Sequence, residues 1–464
     1  MTIKAIMYRL SFLTQKAESS LLTSFYSSRI VNLSNKRLIV ILTAFLANLV
    51  FSLIATNQAF SEPSFAKYVG VGSCSSSNCH GGVSPKAGST ILQNEYITWQ
   101  KQDLHSRAYN SLLSPEGRRI GKLLGLEHPE KEALCLDCHA TNPKPELRAA
   151  TFQIEDGVSC ESCHGAAEHY LESHAANDAT RERSISHGLK DIVAPKPRAD
   201  LCTSCHLGDN TKRVTHRLIG AGHPRLTFEL DTFSMIQPRH WVMDVDYRKK
   251  KGAFGSATVW LVGQIANSRR MLELLSRTPN AAEGEWPEFS LMYCFTCHHS
   301  LSEKQWTKRE YNGNPGEPRL NTASLKIVAA ATAARDKGLS EKIKAGLDKI
   351  HASYGTNEIN QNITYITDLL NQADTSAMIS TGVEDWLKKM FIILADLGAN
   401  SLYPQYELAE QIAMGLQSVA TTIDPSGSYF KGDIERIYQS LNSSDGFNPE
   451  TFVTACKALS DRLR

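Results

Sequence analysis

Hydrophobic spacing divides the chain into two unlike halves. Between residues 321 and 464 apolar side chains return with helical periodicity, as in Leu339, Ile343, Leu347 and Ile350. Thr381-Gly-Val-Glu384 has the form of a capping box ahead of a helix from Trp386 to Leu397, with Gly398 as its stop. Pro404 opens another helix. Asn448-Pro449 starts the last, whose Phe452, Cys456, Leu459 and Leu463 share a face. This half predicts a small helical bundle. From residue 62 to about 300 the periodicity is weaker and strand signals are scarce. One helix is predicted from Glu95 to Leu113, with Trp99, His105 and Tyr109 near one face. A second starts at Ser114-Pro115-Glu116 and closes at Gly125. A third, rich in Val, Leu and Ile, covers Ser256 to Arg277. The breaker-rich stretch Asn312-Gly-Asn-Pro-Gly-Glu-Pro318 separates the halves.

The N-terminus carries an export pattern. Lys36 and Arg37 precede an apolar run from Leu38 to Ile54, and Ala59-x-Ser61 fits the small-residue cleavage rule, which places a mature start at Glu62. The run of about 17 residues is also close to a membrane span, so an uncleaved anchor in the inner membrane is the alternative. The expected organisation is an N-terminal extension with signal peptide or anchor over 1–61, a first domain over 62–306, a linker over 307–320 and an α-helical domain over 321–464. The address is the periplasm or cell envelope. A net charge of +2 over 464 residues gives no bulk basic signal for nucleic acid or anionic membrane.

Cysteine and histidine change this picture. Ten of the eleven cysteines fall in five motifs of Cys, a short gap, Cys and His: Cys74–Cys79-His80, Cys135–Cys138-His139, Cys160–Cys163-His164, Cys202–Cys205-His206 and Cys294–Cys297-His298. Four are Cys-x-x-Cys-His, the attachment signature of a c-type haem: two thioethers to the porphyrin, with the imidazole as proximal iron ligand. The first has four residues between its cysteines, a rarer form of the same motif. If it is unused, the haem count is four. The rival readings are weaker. Zinc pairs do not require a His after every second Cys, and a thioredoxin-like redox pair does not come in series. A disulfide is the rival for Cys74 and Cys79, in keeping with export. Cys456 is left over and reads as a buried small hydrophobe.

Fourteen of the fifteen histidines lie between residues 80 and 299, so every iron can have a second imidazole. The candidate distal ligands are His105, His169, His174, His216, His223 and His240. A His close behind one motif cannot reach round its own porphyrin, so it serves a neighbouring haem and interlocks the set. His128 precedes a proline, His187 lies in a polar stretch, and His299 adjoins a proximal ligand and suits a propionate. Met235, Met243, Met271 and Met292 are the methionines of the region, and Met271 and Met292 read as core. Bis-His ligation is therefore expected to dominate, with lower potentials than His/Met ligation. Arg213, Arg225 and Arg239 are candidate propionate partners. With five porphyrins as core, the fold class expected is mostly α, with loops wrapped around stacked haems and a helical bundle behind them.

These motifs resemble the cytochrome c-554 family, relatives of the tetrahaem protein that accepts electrons from hydroxylamine oxidoreductase. The likeness rests on Val71-Gly-Ser-Cys74, Cys160-Glu-Ser-Cys-His-Gly165 with His169 beyond it, Gly220-Ala-Gly-His-Pro-Arg-Leu226 and Cys294-Phe-Thr-Cys-His-His-Ser-Leu301, over residues 66 to 306. It implies a mostly α fold, closely stacked haems and largely bis-His irons, with one iron open in some members. The fifth motif and the C-terminal helical domain depart from the family.

Two functions follow. One is an electron-transfer protein that relays electrons between redox-protein partners, without catalysis of its own. The alternative is an oxidoreductase acting on a small nitrogen or sulfur compound, such as nitrite, hydroxylamine or tetrathionate, at one open iron. The surplus of His favours the relay. So does the absence of a Cys-x-x-Cys-Lys motif, the mark of a catalytic haem in pentahaem nitrite reductases.

Overall fold

The computed structural model describes residues 65–89, 91–276, 288–298, 319–354, 356–377, 383–401, 405–441 and 447–464. The expected export signal, His299, Thr381, Pro404 and most of the linker lie outside these residues. Ala66–Arg464 form one compact unit. It is mostly α: among the described residues there are eighteen α-helices joined by 3-10 turns, and two isolated β-bridges, Tyr68 with Arg148 and Met292 with Leu320.

The first ten helices are short: α1 (Glu95–Gln102), α2 (Ala108–Leu113), α3 (Pro115–Leu124), α4 (Ala133–His139), α5 (Cys160–His164), α6 (Arg181–Ser186), α7 (Pro195–His206), α8 (His216–Gly220), α9 (Leu230–Ile236) and α10 (Val245–Lys251). Three of them, α4, α5 and α7, end on a proximal His. The Cys-x-x-Cys spacing puts both thiols on one face of a helical turn, with the imidazole one residue on. The expected caps of α3 are present: the Ser114 hydroxyl accepts from Gly117 N–H, Pro115 is the first helical residue, and Gly125 closes the helix at φ 80°.

The helix expected over Glu95–Leu113 is broken at Asp103. Its backbone is extended there, and its carboxylate accepts from the His105 N–H to cap a new 3-10 turn, Leu104–Arg107. Side-chain capping outcompetes continuation of the helix. The break re-aims His105.

Helix α11 (Ser256–Ser276) is buried on nearly every side. It packs against α7 and α9 of the haem-motif region. It also packs against α12 (Ala323–Thr332), α14 (Ile359–Ala377) and α16 (Tyr406–Ile423) of the bundle, which α13 (Lys337–Ser353), α15 (Val383–Ala399), α17 (Lys431–Gln439) and α18 (Pro449–Leu463) complete. Among the described residues the large apolar core therefore starts at Ala257 and reaches Leu459, and three small clusters lie outside it, one of them shared with Val259 and Ala266 of α11. Gly398 does not end α15. The helix continues to Ala399, and Gly398 lies where a Cβ would stand 2.5 Å from Cys456 Sγ. Its small size serves close helix packing rather than termination. Cys456 is fully buried, as its apolar face predicts, and burial pushes its thiol up to about 12.

The joint between α11 and α16 is tight. A Cβ on Gly415 would come within 2.4 Å of the Trp260 ring, which is itself completely buried. Gly415→Ala is expected to cost about 1–3 kcal/mol through overpacking, and the midpoint of thermal or denaturant unfolding measures it. An unchanged midpoint would mean that Trp260 can move.

Candidate functional site

Each of the five proximal histidines faces a second imidazole from a distant part of the chain. The ring centres are 6.2 Å apart for His80 and His174, 6.3 Å for His139 and His223, 6.3 Å for His164 and His240, 6.0 Å for His206 and His105, and 6.1 Å for His298 and His216. The spacing has a simple interpretation. With metal–nitrogen bonds of about 2.0 Å and each nitrogen about 1.1 Å from its ring centre, two imidazoles across one iron stand about 6 Å apart, centre to centre. Ordinary aromatic contacts span the same range; what sets these apart is that each of the five motif histidines has one.

In every pair the second ring comes from beyond or before another motif, and none follows its own proximal His closely. Five of the six candidate distal residues are thus brought opposite a proximal ring. The sixth, His169, is exposed, and each proximal ring is already faced without it.

Hydrogen bonds at Nδ1 orient many of these rings and turn Nε2 toward the site, as metal-binding histidines require. His80 Nδ1 meets Glu95 at 2.9 Å, and His105 Nδ1 meets Asp103 at 2.8 Å. His139 uses the Ala108 carbonyl at 3.1 Å, His174 the Tyr170 carbonyl at 2.9 Å, and His223 the Pro224 carbonyl at 2.8 Å. Burial pushes His164 and His206 down to about 4, and it lowers His139 and His240 as well. These rings are neutral at physiological pH, the state a metal needs. His105 moves the other way, raised by its bond to Asp103.

The fifth motif opens onto a cavity of about 410 Å³. Cys294, Cys297, His298 and the facing His216 all line it, with Leu207, Phe228 and Met292 among the apolar walls. Its far side is built by the bundle, through Leu325, Glu407 and Gln411. Mostly apolar walls with both thiols and both imidazoles at hand suit a porphyrin. Arg213 lines the same cavity, and its buried Nη2 lacks a hydrogen-bond partner, which suits a propionate. The other two candidate arginines are already engaged. Arg225 pairs with Glu410 at 2.8 Å and lies over the Tyr406 ring, and Arg239 contacts the Met235 sulfur at 3.0 Å. Packing against the bundle, which sequence spacing does not reveal, decides Arg225, whereas the Arg239 contact is local.

None of the eleven cysteines forms a disulfide, Cys74 and Cys79 included. Among the described residues no group of three or more His, Cys, Asp or Glu converges as a tetrahedral metal site requires. The motifs stand close together. Cys138 and Cys205 share a hydrogen bond, the Cys163 thiol feels Cys205, and Cys160 feels Cys74. Phe228 stacks on His206 at 5.1 Å and also lines the fifth cavity. The third motif is thus beside the first and the fourth, and the second and fifth both border the fourth.

Glu161 is a site residue that the motif alone does not reveal. It fills a variable position between Cys160 and Cys163 and is buried. Its carboxylate accepts from three backbone N–H groups: Val69 at 2.9 Å, Gly70 at 2.8 Å and Ala167 at 2.8 Å. It thereby ties the third motif to the segment leading into the first. An acid at this position is the one available signal. Asp103, two residues before His105, offers a similar one.

Residues 73–165 match the family model for cytochrome c554 and c-prime, a stretch that holds the first three motifs. No curated protein and no solved structure matches the chain.

Removing the Glu161 carboxylate leaves three buried donors without an acceptor. Glu161→Ala is expected to destabilise the protein by about 3 kcal/mol or more. Glu161→Gln should recover little of this, because an amide offers one acceptor oxygen to the three donors. Unfolding midpoints of the two purified variants check both statements, and a wild-type midpoint for Glu161→Ala would refute the clamp.

Proposed function

We propose that this chain, a c-554-like cytochrome c carrying covalently bound haem c, is an exported electron relay with five haems, each held between two histidines. The observation that carries the reading is the set of five imidazole pairs at 6.0–6.3 Å, one for every motif. Haem supplies a one-electron iron couple when bound. The protein's part is to attach, orient and insulate. Cys74 and Cys79, Cys135 and Cys138, Cys160 and Cys163, Cys202 and Cys205, and Cys294 and Cys297 anchor the five groups. His80, His139, His164, His206 and His298 would be the proximal ligands, and His174, His223, His240, His105 and His216 would face them in that order as the distal ligands. Two imidazoles on each iron leave no position for a substrate and favour low potentials. That arrangement suits a relay between a donor and an acceptor redox protein rather than an enzyme. The adjacency of the motifs supports short steps between sites. The periplasm or cell envelope is the proposed address, with the N-terminal segment as signal or anchor. No described helix is long and apolar enough to cross a membrane.

The purified holoprotein tests this reading. Mass spectrometry should show five added haems, and Cys74→Ser with Cys79→Ser should remove one. The ferric spectrum should be entirely low-spin and unresponsive to nitrite, hydroxylamine or carbon monoxide. A high-spin fraction that binds any of these would overturn the relay in favour of chemistry at an open iron. His240→Ala should keep all haems attached and turn about one fifth of the iron high-spin and open to carbon monoxide. His169→Ala should change neither.

The ring planes give an independent readout. They are near-perpendicular for His105 with His206 (88°), His139 with His223 (90°) and His164 with His240 (76°). They are close to parallel for His80 with His174 (6°) and tilted by 31° for His216 with His298. Electron paramagnetic resonance should therefore show two classes of low-spin ferric haem: three highly anisotropic, with a large maximal g value, and two rhombic. One uniform class would contradict the pairing.

A further inference from the structure

The segment that delivers His240 to its site has an unusual outer surface. Met235 and Ile236 end α9 and are 54% and 70% exposed; Val242 and Val245 follow at 40% and 83%. Four large apolar side chains within eleven residues are thus left uncovered by the rest of the protein, and none of them packs on a core cluster. Beside them α10 ends in Arg248, Lys249, Lys250 and Lys251, all exposed. With Arg239, this gives residues 235–251 five cations against Asp244 and Asp246, a net +3 where the whole chain carries +2. Lys250 is paired with Asp246 at 2.9 Å. Burial and the neighbouring charges of Arg181 and Lys250 lower Lys251, the mark of a crowded positive surface. Inward from this surface, the Trp241 ring lies 5.1 Å from His240, and His240 faces His164. An apolar centre with a charged rim is the anatomy of a transient protein interface.

We propose that Met235, Ile236, Val242 and Val245, rimmed by the basic end of α10, form the docking surface for an acidic redox protein that exchanges one electron with the His164–His240 site. The inference rests on the relay reading. Charge complementarity selects the partner, since a locally positive surface on a nearly neutral chain attracts and orients an acidic protein. The step is outer-sphere: the partner's centre loses one electron as the ferric site gains it, or the reverse, and no bond forms or breaks.

An acidic plant-type ferredoxin serves as the probe. Lys249→Glu with Lys250→Glu in the holoprotein should slow its reduction by reduced ferredoxin about tenfold at low ionic strength, with the difference vanishing at about 1 M salt. Calorimetric binding of oxidised ferredoxin should weaken in parallel. Lys342→Glu with Lys457→Glu, which makes the same change in net charge on exposed helix positions of the bundle, should leave both unchanged. An equal loss in both double variants would mean bulk charge rather than a docking surface. An unchanged rate and affinity in Lys249→Glu/Lys250→Glu overturns the proposal, as does loss only of co-sedimentation with anionic phosphatidylglycerol vesicles, which would assign the surface to a membrane. Dithionite titration keeps the two readings apart. If all five haems reduce as low-spin centres while the ferredoxin effects are absent, the relay stands and this surface does not.

Discussion

The architecture depends on one constraint: each of the five motif histidines faces a second imidazole at a nearly fixed separation, and each pair joins segments about 76 to 101 residues apart. Few contacts in the first half of the chain could do that work otherwise. Its helices are too short to hold themselves together, and its apolar clusters, such as Val69, Ala167 and Tyr170, are small. Closing these long loops through a shared iron, as the relay reading has it, would compensate for the small core, much as disulfides do in small secreted domains. Hydrogen bonds at Nδ1 then fix how five of the ten rings are presented, so the Glu95 and Asp103 carboxylates and the carbonyls of Ala108, Tyr170 and Pro224 are part of the site geometry.

The C-terminal half relies on a different source of stability. Its helices bury a continuous apolar core that includes Trp260, Phe391 and Phe452. The two regimes meet on α11, where Gln264 donates to Gln411 at 2.6 Å and Asn267 donates to the Phe228 carbonyl at 2.8 Å. The fifth cavity lies at this meeting, with thiols and imidazoles from one regime and Leu325, Glu407 and Gln411 from the other. The bundle is thus more than a support appended to the motifs, because it supplies walls to one of them.

Much of this was legible in the chain wherever the signal is local. The motifs are contiguous, the Ser114-Pro115 start and Gly125 stop of α3 are contiguous, and the Phe452–Leu463 face follows from spacing alone. The readings that failed were those in which tertiary packing overrides a local rule. Gly398 looks like a helix stop and is instead a contact with Cys456. The helix through Glu95–Leu113 looks continuous, and the Asp103 carboxylate breaks it. Arg225 looks free for a propionate and is held by Glu410. The distal histidines lie between these cases. Their residue type narrowed the choice to six, but which ring faces which is a matter of three-dimensional closure. Sequence proximity pointed to His169 as readily as to His174.

The crosswise pairing also carries a temporal consequence. A chain that crosses a membrane from its N-terminus presents Cys74, Cys79 and His80 long before His174 arrives, and the same delay recurs for His139, waiting for His223, and His164, waiting for His240. His206 and His298 instead find their partners, His105 and His216, already delivered. On the relay reading, maturation would pass through half-ligated stages, and the order of emergence lets the first site close first, with His174, and the fourth next, with His206. The fourth, which the second, third and fifth all border, can thus be complete before any of those three neighbours.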